Sequence, residues 1–153
     1  MRQEVNCAAT AGCSGPVLLA PQRISQKARG SLCVMDECDL PFLIRRVFII
    51  EDVPPEGRRG GHAHRACEQI FLALRGELWV RARWQGHEAS FKLHPGSPPL
   101  WIPPRVWVEL QFCGADTAVM VFASHPYDPG DYITTDDASL DQSNPWHENG
   151  NHD

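Results

Sequence analysis

A chain of 153 residues has the length of one domain, and 42% apolar with 22% charged residues is a globular composition that argues against disorder. The formal net charge of −5 offers no basic field to a nucleic-acid backbone, although local arginines can still serve a small anionic ligand. No stretch approaches the roughly eighteen apolar residues of a membrane span, and Glu4, two residues after Arg2, does not suit a secretory signal, so a cytoplasmic protein is expected.

In chain order, residues 1–22 are small, polar and broken by Gly and Pro, and read as a flexible lead. Residues 23–140 form the domain proper, and its pattern is β throughout. Ser31–Glu37 and Arg45–Asp52 are rich in Val, Ile, Leu and Phe and are separated by the turn-prone Asp39-Leu40-Pro41. From Leu78, the residues Leu78, Val80, Ala82 and Trp84 alternate with Trp79, Arg81 and Arg83, a period of two. Gln85-Gly86 then marks a tight turn into Ala89, Phe91 and Leu93, which alternate with Glu88, Ser90 and Lys92. Leu100–Ile102, Val106–Phe112 and Thr117–Ala123 supply further short strands, and residues 141–153 read as a polar tail. No segment keeps a 3.6-residue period over a helical length, and the thirteen prolines and twelve glycines suit strands and turns better. The expected fold is an all-β sandwich or barrel, in which every second side chain can line an interior pocket.

Six cysteines (Cys7, Cys13, Cys33, Cys38, Cys67, Cys113) include no CxxC pair, so buried free thiols are expected rather than a zinc site or a disulfide framework. His62 and His64 stand two apart. On a strand both imidazoles would share one face, as metal ligands, as proton carriers or as plain polar residues.

The flanks of that pair carry more information. His62-x-His64-x3-Glu68 with Gly76 beyond it resembles the first cupin motif. Around it stand, in order, RGSL (29–32), PFLIRRVFIIEDV (41–53), RGGHAH (59–64), EQIFLALRGELWV (68–80), LWIPPRVWVEL (100–110), VMVFAS (119–124) and YDPGDYI (127–133). Together they resemble the sugar 3,4-ketoisomerase family, small cupins acting on dTDP-4-keto-6-deoxyglucose. The resemblance implies a jelly-roll barrel (a double-stranded β-helix), a homodimer, and no metal or other cofactor. It also implies a reaction in which the keto group moves from C4 to C3 of a nucleotide-linked deoxysugar through an enediol, on the way to aminosugars. Histidine suits both halves of that proton transfer. His64 is the expected base and His62 its partner or relay. Arg59, Arg29, Arg46 and Gln69 are the expected substrate-binding residues. Trp79, Trp101 and Trp107 are expected to pack the barrel, and His87, His94, His125, His147 and His152 to lie on the surface or in the tail.

Three positions depart from the family pattern. Val108 stands where metal-binding cupins have a third histidine and where the isomerases usually carry a polar residue, which weakens a tight metal site. Ile49 replaces a tyrosine, and Arg65 replaces the lysine after the histidine pair. Rival readings are a 3,5-epimerase-like cupin on the same substrate, a metal-dependent dioxygenase, and a non-catalytic module that binds a sugar nucleotide.

Overall fold

The computed structural model describes residues 9–55 and 57–134. Its strands are β1 (Val17–Leu18), β2 (Gln22–Gln26), β3 (Gly30–Val34), β4 (Arg46–Ile50), β5 (Arg58–His64), β6 (Gln69–Arg75), β7 (Leu78–Trp84), β8 (His87–Leu93), β9 (Leu100–Ile102), β10 (Trp107–Phe112), β11 (Ala118–Ala123) and β12 (Tyr132–Ile133). Two five-stranded antiparallel sheets result, ordered β1-β9-β6-β11-β4 and β12-β5-β10-β7-β8, while β2 and β3 pair only with each other. Strands adjacent in a sheet are often distant in sequence, as expected of a jelly roll.

The period of two explains how the sheets face one another. In β7, Leu78, Val80 and Ala82 are fully buried, and in β10 the same holds closely for Val108, Leu110 and Phe112. They meet Phe71, Ala73, Val119 and Val121 of the opposite sheet in one core, with Phe48 and Ile50 of β4 packed against it. Each buried Val, Leu or Phe among them contributes about 1.5–3 kcal/mol, and the alanines less. The β7–β8 turn forms where Gln85 and Gly86 both adopt positive φ (46° and 76°), the geometry that matches the twist of a two-residue hairpin.

The lead assigned to residues 1–22 is shorter in the fold. Val17 and Leu18 pair with Trp101 and Leu100, and Leu19 is buried with Phe42, Ile70 and Trp101. The tail expected at 141–153 lies outside the described residues. Strand β6 went unnamed in the sequence reading because it is central and carries buried residues on both faces, Ile70 outward under Leu19 and Phe71 inward, so its period is masked. Strand β2 is exposed along its length and shows no period at all.

Two expectations about packing need correction. Among the described cysteines only Cys67 is buried; Cys13, Cys33, Cys38 and Cys113 are exposed free thiols. Trp101 and Trp107 are buried, but Trp79 lies on the outer face of β7 and is 39% exposed.

Candidate active site

A cavity of about 340 Å³ opens between the sheets, and its wall includes His62, His64, Arg46, Arg59, Gln69 and Tyr132. Strand β5 supplies the first two. Its partner β10 sets Val108 opposite His62, and Val108, like Leu110, faces the interior. Two-residue spacing then carries His64 to the same wall.

Arg59 is three residues from His62, so a regular strand would send it to the opposite face. A bulge corrects this. Val108 pairs with His62 but Glu109 pairs with Gly60, so Gly61 is the extra residue, and Arg59 comes to stand opposite Leu110 on the inner face. Gly60 and Gly61 have φ of 86° and 77°, the left-handed region where a side chain is disfavoured. The odd spacing in RGGHAH thus becomes a single row of Arg59, His62 and His64.

The histidine rings touch each other edge to face, with centroids 5.1 Å apart, and Tyr132 packs on both, at 4.5 Å from His62 and 4.7 Å from His64. His64 Nδ1 lies 3.0 Å from Asp131 Oδ2. His64 Nε2 is buried and makes no hydrogen bond to any described residue. A buried imidazole nitrogen without a partner is costly unless a ligand supplies one. Arg46 stacks over Phe48 at 4.6 Å and over Tyr127 at 5.2 Å. Neither Arg46 nor Arg59 forms an ion pair with a described residue, which leaves both charges open to an anion.

Arg29 does not join them. It sits exposed in the turn between β2 and β3 and is absent from the cavity wall, because that hairpin pairs with neither large sheet. Glu68, the acidic member of the cupin-like motif, also turns away. Its carboxylate accepts the Trp101 indole N–H at 3.0 Å, and burial, opposed by that bond and by His125, raises its pKa. The donors HxH-plus-Glu would offer a metal therefore do not converge. The described residues bring together His64, Cys67 and Asp131 instead, with ligand atoms within 4.8 Å, but there His64 Nδ1 is already engaged by the carboxylate. Ile49 is half-exposed on β4, alternating with the inward Phe48 and Ile50, and still borders the cavity. Tyr132 and Asp131 are the residues that sequence reasoning missed as site components; the YDPGDYI block was the available signal.

Burial, followed by the neighbouring His64, holds His62 below the ordinary imidazole value of 6.5, with the Gly60 backbone opposing. Burial also leads at His64; the Asp131 hydrogen bond and charge oppose it, and Arg46 and His125 reinforce it. Both rings are thus neutral, and able to accept a proton, near pH 7. In the unfolded chain they protonate at the ordinary value, so their contribution to stability is complete above about pH 6.5 and is lost as pH falls towards the lowered folded values. Acidification below about pH 6.5 is expected to depress the melting temperature, and less steeply in a His62→Asn/His64→Asn double variant. Parallel curves for the two proteins would place the titration elsewhere.

The family model described as "WxcM-like, C-terminal" (FdtA) matches residues 17–143. The chain belongs to this family. Among its relatives, the TDP-4-oxo-6-deoxy-alpha-D-glucose-3,4-oxoisomerase of Aneurinibacillus thermoaerophilus is 36% identical over 107 residues, which cover 69% of this chain and 77% of the relative. The 3,4-ketoisomerase QdtA of Thermoanaerobacterium thermosaccharolyticum, solved as a histidine-to-asparagine mutant in complex with TDP-4-keto-6-deoxyglucose, superposes with a TM-score of 0.72 at 30% identity, over 79% of this chain and 88% of that one. The rmlC epimerase of Mycobacterium tuberculosis, at 14% identity and a TM-score of 0.67 over 80% of this chain and 70% of that one, shares the fold alone. The expectation of a cupin-type barrel and of the 3,4-ketoisomerase family is therefore met. Within the family frame Val108 is a wall residue of the cavity, 7% exposed and directly across from His62.

Proposed function

We propose that this chain is a nucleotide-sugar 3,4-ketoisomerase acting on a dTDP-4-keto-6-deoxyhexose, with His64 as the base. The observation that carries the base assignment is the buried, unpartnered Nε2 of His64 on the wall of the cavity. The C3 proton of the substrate is α to the C4 carbonyl. His64 Nε2 takes that proton, and the C3–H electron pair becomes the C3–C4 double bond of an enediolate, with the charge on the C4 oxygen. A proton then passes from the C3 hydroxyl to the C4 oxygen, and C4 is reprotonated at carbon. The ketone is left at C3, and no oxidant is consumed. His62, in contact with His64 and neutral, is placed to relay a proton or to hold the sugar. Arg46 and Arg59 supply positive charge for the pyrophosphate, and the apolar walls of the cavity strengthen each of these interactions by excluding water.

Incubation with dTDP-4-keto-6-deoxyglucose in D2O, followed by NMR, tests this reading. Deuterium at the C3–C4 unit and a 3-keto product are expected. Exchange at both C3 and C5 would instead identify a 3,5-epimerase, and binding without exchange a non-catalytic module. Because Glu68 is committed to Trp101 and Val108 fills the third cupin position, the rate is expected to survive exhaustive chelation.

The active species is proposed to be a homodimer. β4 is the edge strand of its sheet and exposes Val47 (52%) and Ile49 (48%), and the lone β2–β3 hairpin exposes Leu32 (57%). An apolar sheet edge and an isolated hairpin are both marginal in water unless a partner covers them. Light scattering is expected to return twice the chain mass of 17.1 kDa; a value near one chain at micromolar concentration would reject the dimer.

A further inference from the structure

We propose that Asp131 is a positioning residue for the isomerisation: its carboxylate, fastened to the turn after β5, fixes His64 as the Nδ1–H tautomer and so makes Nε2 the proton-accepting atom. This rests on the assignment of His64 as the base and explains why the pair works asymmetrically.

Asp131 closes the short 3-10 turn Pro129–Asp131, which Asp128 caps by accepting the Gly130 N–H at 2.9 Å. The turn is docked at several points on the segment that follows His64. The Arg65 N–H donates to the Asp131 carbonyl at 2.8 Å. The Ala66 N–H donates to Oδ1 at 2.8 Å, and the Cys67 N–H to Oδ2 at 3.2 Å. The remaining approach to Oδ2 is taken by His64 Nδ1. Burial alone would raise the Asp131 pKa, yet the Ala66 and Cys67 N–H groups and the His64 ring together hold it below the ordinary carboxylate value. The group is therefore an anion, and an anion can only accept. Nδ1 must carry the proton, and Nε2 is left with a lone pair and no partner in the described residues. Among the described residues no such carboxylate holds His62; it leans on the Gly60 backbone.

A purely structural role, joining the turn before β12 to the turn after β5, would use the carboxylate only to accept the Ala66 and Cys67 N–H groups, beside the Arg65 backbone bond. The two roles part in Asp131→Asn, where one of the two oxygen positions becomes an amide nitrogen. At the Oδ2 position that nitrogen would lose the longer Cys67 N–H bond but donate to Nδ1, driving His64 to the Nε2–H form, which cannot act as the base. At the Oδ1 position it would press its hydrogens against the Ala66 N–H. Turnover is expected to drop by about 10²–10⁴-fold.

Two readouts separate positioning from scaffolding. In 15N-histidine NMR of the wild-type protein, His64 is expected to show a protonated Nδ1 and a bare Nε2, and Asp131→Asn to lose that pattern. The acid limb of the rate–pH profile is expected to move to lower pH in the variant, because the negative charge that favours the imidazolium is gone. The other groups around His64 (Arg46 from β4, His125 after β11, His62, Cys67 and Tyr132) are unchanged, so the displacement reports on Asp131. A wild-type His64 protonated on Nε2 would overturn the proposal, even if Asp131→Asn failed to fold. So would a variant with a lower melting temperature but an unchanged tautomer and pH profile. If instead His64→Asn exchanges C3 deuterium normally, the base assignment itself falls, which is a different result.

Discussion

His64→Asn is expected to slow ketone transfer and C3 deuterium exchange by about 10²–10⁴-fold, the usual cost of removing an essential acid–base group. Folding and nucleotide binding should hardly change. Asparagine is close in size and can still donate to Asp131 from its amide, so the turn at residues 129–131 keeps its anchor. What disappears is the titrating Nε2, which makes no bond that the fold depends on. His62→Asn should slow the reaction less, since His62 only relays a proton or orients the sugar in this mechanism. His87→Asn is the control: that ring is exposed on β8 and packs beside Trp84, with centroids 5.6 Å apart. A structural role for the pair predicts the reverse pattern, a lower melting temperature in His64→Asn with normal turnover in the protein that remains folded. Normal turnover in both variants would remove the pair from the chemistry.

The parts of this site that were legible in the sequence share one property: they depend on local spacing. His62 and His64 fall on one face because two residues separate them, and the alternation of β7 and β8 shows which residues point inward. Arg59 marks the limit of that logic. Only its place in a family block argued for the cavity, since its spacing from His62 argues for the opposite face until the Gly61 bulge is seen. Asp131 lies 67 residues from the ring that it orients, and no pattern in YDPGDYI distinguishes it from Asp128, which merely caps its own turn. Tyr132 reaches the histidines because β12 pairs with the end of β5, with Tyr132 opposite His64, a long-range register that a two-residue strand cannot announce. Arg29 also belongs to a matched block, but it sits in the exposed turn just before β3 and lies outside the cavity wall of this chain.

The bulge leads to the second large expected effect. Gly60→Ala and Gly61→Ala look alike in sequence, and both require an alanine in the left-handed region, at about 1–2 kcal/mol each. Their surroundings differ. A Cβ on Gly61 would meet nothing within 4 Å, whereas on Gly60 it would stand 2.6 Å from the Val108 carbonyl oxygen, with the Glu109 Cα also close at 3.4 Å. Those neighbours are backbone of β10, so they cannot rotate away; β5 must move off β10 to make room. Overpacking of that kind adds about 1–3 kcal/mol, so Gly60→Ala should lose roughly 2–5 kcal/mol in total. The movement falls between Arg59 and His62, the residues that the bulge brings into one row. In protein that stays folded, a displacement near 1 Å at that point should lower kcat/KM by about 10²-fold. Gly61→Ala should retain most of its activity and show only the smaller loss of stability. Unfolding and steady-state kinetics on the two variants decide the matter. Equal stability losses with equal kcat/KM would mean that the close approach of Gly60 to β10 is not what holds the site in register.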